Sequence, residues 1–302
     1  LTIQQHTPAT TDQVEKLALH LPLAFALYDD NDQPLATSPR GDVLHRPGLI
    51  ELRADEHIVR FEGIRDRPLA SFLQGLSAPA RLDFDYSAAE LGRLIRIERD
   101  PLCRWDATQQ LATRVILHGR SEDTRMLIDA FGVLLQDRAM DPAFVALCMA
   151  LPDPGMLIDS AEHVDIDHLL ASREQLLDQL AVAHHTLLTQ RFGELDAQQP
   201  EALDAGAIAA RRLKGACLVW LARVELDGAR ATSLYARSHT LTDRLSALTA
   251  LVHNNAPSAG DVLEHFATHV EADLLLTDKW LGVVATRPHM DAVEHVQALL
   301  AG

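Results

Sequence analysis

The sequence predicts a multi-domain β + α protein, with a small antiparallel β-sandwich over residues 1–88 and an α-helical bundle or solenoid of helix pairs over residues 89–302. Three observations support this fold class. Short stretches before Ser87 alternate apolar and polar residues, which is typical of half-buried strands. Apolar residues after Ser87 recur with a helical period. The connections between these helical stretches are short, as in helix bundles and solenoids.

The first half contains apolar stretches in Val14–Tyr28, interrupted by Pro22, and then a turn-rich cluster over Tyr28–Pro34. Such clusters of Asp, Asn and Pro mark turns. Further strands are predicted where apolar and polar residues alternate, namely Ile50–Ala54, Ile58–Ile64 and Arg81–Tyr86. Several short strands at this spacing favour a small sandwich with an Ig-like or fibronectin-like arrangement.

The helical half begins with recognisable start signals. Ser87 followed by Glu90 predicts a capping box. An acid followed by proline occurs at Asp100-Pro101 and at Asp141-Pro142, and Ser121 precedes two acids. These are residues that favour the first turn of a helix. A long helix is predicted from about Asp167 to Leu195, and shorter ones over 203–224, 228–239, 242–253, 258–271 and 290–301.

The composition excludes several function classes. The formal net charge of −16 disfavours non-specific binding to nucleic acid, which depends on Lys and Arg, and disfavours anionic membrane surfaces. No apolar run reaches the length of a membrane-spanning helix. Cys103, Cys148 and Cys217 are widely spaced and odd in number, so we expect buried free thiols and a cytoplasmic location.

Histidine pairs are the first candidates for metal binding. His265 and His269 are four residues apart on one helical face, and Asp273 is a possible third ligand one turn further along. The general base of H-E-x-x-H is missing, because Phe266 follows His265. Ordinary helix histidines are therefore the favoured interpretation. The remaining candidates are interpreted as solvated or capping histidines: His163, His168, His184 and His185.

Other catalytic patterns are weak. The sequence has no G-x-S-x-G elbow, and Lys214-Gly215 lies within a predicted helix without the spacing of a phosphate-binding loop. The carboxylate pairs Asp83/Asp85 and Asp29/Asp30 are expected on an exposed strand face and in a turn. We interpret them as solubilising residues rather than as a glycosidase pair.

Two tryptophan-containing strings are candidate structural or interdomain anchors. The first contains Arg104, Trp105 and Asp106 near a predicted helix start. The second contains Asp278, Lys279 and Trp280. A large aromatic ring beside a cation is typical of a packed junction between elements.

Together with Leu1–Pro8 and Lys16–Pro22, these two strings resemble bacterial aminopeptidase N, the zinc aminopeptidase family typified by the alanyl aminopeptidase of proteobacteria. Each string is weak alone, but the four occur in the family's order and spacing, and the resemblance spans essentially the whole chain. It implies a parent enzyme that removes N-terminal residues from peptides, with zinc in an upstream catalytic domain. The chain is then expected to begin after that domain and to stop inside the helical one, which would be incomplete.

The resemblance assigns no catalytic, cofactor-binding or metal-binding residue to this segment, because no His-Glu dipeptide occurs in the chain. It implies a non-catalytic role, in which the segment shapes access to the active site and supports the catalytic domain, its partner. Two alternatives remain open. One is a stand-alone helical-repeat interaction protein with a β-sandwich appendage. The other is a metallohydrolase that uses His265, His269 and Asp273.

Overall fold

The structure of the protein is a computed structural model, which describes residues 1–36, 39–41, 44–160, 165–198, 202–270, 273–289 and 291–301. Contacts between backbone positions group the chain into two compact units, Leu1–Leu111 and Ala112–Gly302. The domain boundary between residues 88 and 89 stays a prediction.

The first unit is built on antiparallel strands. The strands are β1 (Thr2–Gln4), β2 (Leu21–Tyr28), β3 (Pro39–Arg40), β4 (Leu44–Arg46), β5 (Leu49–Leu52), β6 (Glu56–Ile58), β7 (Arg60–Phe61) and β8 (Leu69–Phe72). A four-stranded sheet has the order β4-β5-β2-β8, and two ribbons pair β1 with β6 and β3 with β7. This arrangement confirms the predicted antiparallel β fold.

Strand β2 supplies the centre of the first core. Its side chains alternate between buried and half-buried positions, so that Leu23, Phe25 and Leu27 all point inward. They pack with Ile50 and Leu52 of β5 and with Val59, of which Ile50 and Val59 are fully buried. Alternation along a strand places every second side chain on the same face, which is why the alternating residues Ile50–Ala54 predicted β5.

Two strand predictions need correction, and one strand was missed. The predicted strand Arg81–Tyr86 has no strand structure, although its two aromatic rings pack together: the Phe84 and Tyr86 ring centroids are 4.5 Å apart and the ring planes are tilted by 56°. The carboxylates Asp83 and Asp85 are therefore exposed on a loop. The stretch Ile58–Ile64 is divided between β6 and β7. Strand β8 was not predicted, because all four of its residues are buried and it shows no alternation.

Two helices follow the sheets. Helix α1 (Ala88–Ile97) begins with the predicted capping box, in which the Ser87 hydroxyl accepts from the Glu90 amide and the Glu90 carboxylate accepts from the Ser87 amide. Helix α2 (Pro101–His118) begins at the predicted Asp-Pro signal. The Asp100 carboxylate accepts from the amides of Gly75 and Cys103, so it joins this helix start to the turn after β8.

The second unit is entirely helical in the part of the chain that the structure describes. Its helices after α2 are α3 (Ser121–Gln136), α4 (Pro142–Met149), α5 (Pro154–Ser160), α6 (Ile166–Ala183), α7 (His185–Ala197), α8 (Ala205–Leu221), α9 (Ala229–Arg237), α10 (Leu241–His253), α11 (Ala259–Val270), α12 (Leu274–Ala285) and α13 (Ala292–Ala301). Antiparallel sheets followed along the chain by helices confirm the predicted fold class, a small β-sandwich and then an α-helical bundle or solenoid.

The predicted long helix Asp167–Leu195 is wrong, because it is two helices, α6 and α7, that meet at His184. His184 leaves the helical conformation with φ −109° and ψ 12°. Its ring is buried, and Nε2 donates to the Ile128 carbonyl of α3 over 3.0 Å. Helices α5 and α12 were missed, although each has an aspartate cap: Asp153 accepts from Gly155, and Asp273 accepts from Leu275.

Helix α8 is the centre of the second core, since it packs against α4, α7 and α10. Gly215 permits the close crossing with α10, because a Cβ there would lie 2.3 Å from the Ser246 Oγ. Among the described residues, no single helix is long and apolar enough to cross a membrane. Helices α4 and α5 reach that length and apolar composition only when taken together, and the pair is bent by 56°.

Candidate functional site

The first predicted anchor lies on the opening turns of α2. Arg104 Nε donates to the Ile95 carbonyl near the end of α1 over 2.5 Å. Trp105 is half-buried, and the Asp106 carboxylate accepts from Gln110 over 2.6 Å. Burial raises the pKa of Asp106 above its ordinary value, and the Gln110 hydrogen bond opposes the rise. Arg104 thus ties α2 to α1 within the first unit, while a role in contacting a neighbouring domain stays a prediction.

The second predicted anchor lies on α12. Asp278 and Lys279 are exposed, whereas Trp280 is half-buried. The Trp280 indole Nε1 is buried and has no hydrogen-bond partner among the residues that the structure describes. Buried indole N–H groups ordinarily have a partner. This string also remains a predicted anchor.

The histidine candidates separate into different environments. His265 and His269 lie on the exposed face of α11, and their ring centroids are 4.1 Å apart. Asp273 does not continue that face, because α11 ends at Val270 and the Asp273 carboxylate caps α12. His168 is exposed near the start of α6. His184 occupies the cap position between α6 and α7, but the prediction that it is solvated is wrong, because its ring is buried against α3. His163 lies outside the described residues.

No group of three or more His, Cys, Asp or Glu residues in the described part of the chain is arranged to hold a metal ion. The three cysteines are buried free thiols, as expected. Burial raises the pKa of both Cys103 and Cys217 to about 12. Nucleophilic reactivity depends on the thiolate, so these thiols are poorly suited to catalysis.

A buried ion-pair cluster in the second unit was not predicted. Lys214 lies in the middle of α8 and is only 2% exposed. Its Nζ lies 2.9 Å from Asp243 Oδ2 on α10 and 3.4 Å from Asp196 Oδ1 on α7. Arg237 of α9 binds both oxygens of Asp196, at 3.1 and 2.6 Å. The sequence feature that could have predicted this cluster is a lysine within the apolar face of α8, since a fully buried lysine needs a paired acid.

A groove of about 530 Å³ lies between α4, α8 and α10, close to this cluster. Its apolar side chains include Met149, Trp220 and Leu245, and the exposed Arg212 lies at its edge. The Trp220 ring is held by Phe131 of α3, with ring centroids 5.3 Å apart. An apolar groove beside a cation can accommodate an apolar side chain and a nearby anionic group.

Two family descriptions match the chain. Residues 1–85 match DUF3458, a domain of unknown function with an Ig-like fold. Residues 88–302 match DUF3458_C, a domain of unknown function described as ARM repeats. The second match alone covers most of the chain, and both descriptions agree with the β and helical architecture described above.

Three curated relatives are named aminopeptidase N. Aminopeptidase N of Haemophilus influenzae is 28% identical over 308 residues, which cover 99% of this chain and 35% of the relative. Aminopeptidase N of Escherichia coli is 30% identical over 316 residues, with the same two shares. Aminopeptidase N of Caulobacter vibrioides is 32% identical over 266 residues, covering 86% of this chain and 31% of the relative. The chain spans about a third of the length of these relatives.

A solved structure shares the fold. The crystal structure of Legionella pneumophila aminopeptidase A in complex with aspartic acid superposes with a TM-score of 0.79 and 21% identity. The match covers 93% of this chain and 34% of that chain. The resemblance inferred from the four sequence strings is thus confirmed. The chain belongs to the DUF3458_C family, described as ARM repeats; its residues 1–85 match the Ig-like DUF3458 domain, and it is similar to a C-terminal segment of bacterial aminopeptidase N.

Proposed function

We propose that this chain is a non-catalytic segment of a zinc aminopeptidase N, in which it supports the catalytic domain and restricts access to the active site. The observation that carries the proposal is the match of 99% of the chain to aminopeptidase N over only about a third of that enzyme's length. The catalytic chemistry, its zinc and its peptide substrates would then belong to the rest of the parent protein, in the cytoplasm.

The helical unit is the part of the chain suited to restricting access. Stacked helix pairs of the ARM type form extended curved surfaces with a concave side. A rigid wall of this kind excludes large substrates by their size and admits flexible peptides. Helix α8 is suited to such rigidity, because its buried residues contact three neighbouring helices and its lysine is held by two acids.

The first experiment measures hydrolysis of an alanyl chromogenic substrate by the purified 302-residue chain with Zn²⁺ supplied. We expect no hydrolysis above the background of buffer with Zn²⁺. Zinc-dependent hydrolysis that disappears in His265→Ala would contradict the proposal and favour the metallohydrolase alternative.

The second experiment tests the steric role. The remainder of the parent polypeptide is produced without this segment, and the chain is added in trans. We expect a complex on size-exclusion chromatography, and a selective fall in kcat/KM for a folded protein with an N-terminal alanine. The alanyl chromogenic substrate is small enough to serve as the control. If no complex forms, or if both substrates change equally, the restricted-access role is wrong.

A further inference from the structure

The exposed face of α11 carries two imidazoles in a defined arrangement. His265 and His269 are four residues apart, so they occupy successive turns on one side of the helix. Their ring centroids lie 4.1 Å apart, with 31° between the ring planes. Residues four apart are neighbours on a helix, so both imidazoles can turn about their side-chain torsions until their lone pairs converge on one ion, for which the metal–nitrogen distance is about 2.0–2.1 Å.

The Nδ1 atom of each ring is already engaged. His269 Nδ1 lies 2.8 Å from the His265 backbone carbonyl. A carbonyl can only accept, so His269 Nδ1 carries the proton and Nε2 presents its lone pair. His265 Nδ1 lies 2.8 Å from the Tyr235 hydroxyl of α9, whose oxygen accepts from Nδ1–H in the tautomer that leaves Nε2 free to bind an ion. Metal-binding histidines characteristically donate their second ring N–H to such a partner, which orients the ring and increases the basicity of the ligating nitrogen.

The Nε2 atoms remain available. Neither has a hydrogen-bond partner among the described residues, and both side chains are exposed, so solvent and ions reach them. We propose that His265 and His269 form a two-imidazole site for a late first-row divalent metal ion, with water molecules completing its coordination. Imidazole nitrogen suits Zn²⁺, Ni²⁺ and Cu²⁺ and is a poor ligand for Mg²⁺ or Ca²⁺.

The site has a structural consequence and is independent of the proposed function. Asp273 caps α12 and is not one of its ligands, so two protein ligands hold the ion, and it exchanges more readily than in a closed four-ligand site. The ion would join two turns of α11 and, through Tyr235, would fix α11 against α9. Because the metal binds the folded helix and not the separated imidazoles of an unfolded chain, it raises thermal stability.

The test is isothermal titration of the 302-residue chain with Ni²⁺ and, separately, with Zn²⁺. His265→Ala and His269→Ala each remove one ligand, and chelation requires both, so each variant should lower the affinity of the tightest site at least tenfold. His168→Ala and His239→Ala are matched controls, since both residues are exposed single histidines, and they should leave that affinity unchanged.

Thermal unfolding gives a second measurement. Ni²⁺ should raise the Tm of the wild-type chain and of both controls but not that of the two site variants, and Mg²⁺ should have no effect on any of them. The variants should keep the wild-type circular dichroism spectrum, because alanine favours an exposed helix position. The proposal is overturned if either site variant binds Ni²⁺ within twofold of wild type, or if a control weakens binding as much as a site variant.

Discussion

The Tyr28 hydroxyl donates to Glu98 Oε1 over 3.0 Å and thereby joins the end of strand β2 to the end of helix α1. Both residues are buried, and Glu98 is only 1% exposed. The same oxygen also accepts from Gln74 and from the Arg99 and Asp100 amides. The carboxylate therefore organises the junction between sheet and helices inside the first unit. Burial and the Glu98 charge both raise the pKa of Tyr28, which keeps the phenol a donor.

Replacing Tyr28 by Phe removes one donor from this carboxylate. Hydrogen bonds to charged groups contribute about 1.5–3 kcal/mol, so we expect Tyr28→Phe to lower the free energy of unfolding by that amount. Tyr235→Phe is the control, because its hydroxyl bonds a histidine ring, and a typical hydrogen bond contributes about 0.5–1.5 kcal/mol. Urea unfolding followed by tryptophan fluorescence measures both. Equal losses in the two variants would argue against a special role for Glu98.

Lys214→Met tests the buried ion-pair cluster. The substitution keeps an unbranched apolar stem but leaves Asp243 buried without its cation, which costs about 3–5 kcal/mol in the free energy of unfolding. Arg237→Met removes a cation whose side chain is 47% exposed, so it should cost about 1 kcal/mol or less. The double variant with Asp243→Asn should recover part of the Lys214→Met loss. A loss for Lys214→Met no larger than for Arg237→Met would contradict the assigned role.

Gly228→Ala tests a backbone position before α9. Gly228 has a φ of 65°, and a Cβ there would lie 2.7 Å from Ala256 Cβ and 2.8 Å from Leu251 Cδ2. Gly119, after α2, has a similar φ of 62°, and no described residue lies within 4 Å of the position that its Cβ would take. Gly119→Ala should therefore lower the free energy of unfolding only by the cost of holding alanine in the left-handed conformation, about 1–2 kcal/mol. Gly228→Ala should cost about 1–3 kcal/mol more, because of overpacking. Chemical denaturation of the two variants compares them directly, and equal costs would mean that α9 and α10 shift freely.

His184 makes the second unit sensitive to acid. Burial lowers the pKa of His184, and the hydrogen bond to Ile128 only partly opposes this. Below about pH 6.5, His184 is therefore protonated more readily in the unfolded chain than in the native structure. The free energy of unfolding consequently falls as the pH falls. At higher pH the native and unfolded rings are both neutral, and the stability contributed by the buried neutral His184 is fully present.

His184→Gln, which keeps a donor for Ile128, should lose less stability than wild type between pH 7.5 and pH 5, as measured by urea unfolding at each pH. Some loss should remain, because burial also lowers the pKa of His253. His168→Gln, at an exposed position, is the control and should behave as wild type. An unchanged pH dependence in His184→Gln would show that the buried ring is not responsible.

Local signals predicted many of the element starts. Ser87 with Glu90, and Asp141 before Pro142, cap helices as expected, because these hydrogen bonds join residues only two or three positions apart. The periodicity of apolar residues did not predict the structure where a strand is buried on both faces, or where a distant contact interrupts a helix. Strand β8 is buried on every side, and the break at His184 depends on a carbonyl 56 residues away. The tryptophan strings were visible in the sequence, but the hydrogen bond from Arg104 to the Ile95 carbonyl was not.

By itself, the sequence determined the β-then-helical order, the acidic surface and most helix starts, because these follow from composition and from neighbours within one turn. Only the tertiary structure decided which distant groups meet: Tyr28 with Glu98, 70 residues apart, and Lys214 with Asp243, 29 residues apart. It also showed that His265 and His269 have oriented rings while Asp273 caps another helix. Such pairings depend on how helices and strands pack after long loops close, and no local pattern encodes that geometry.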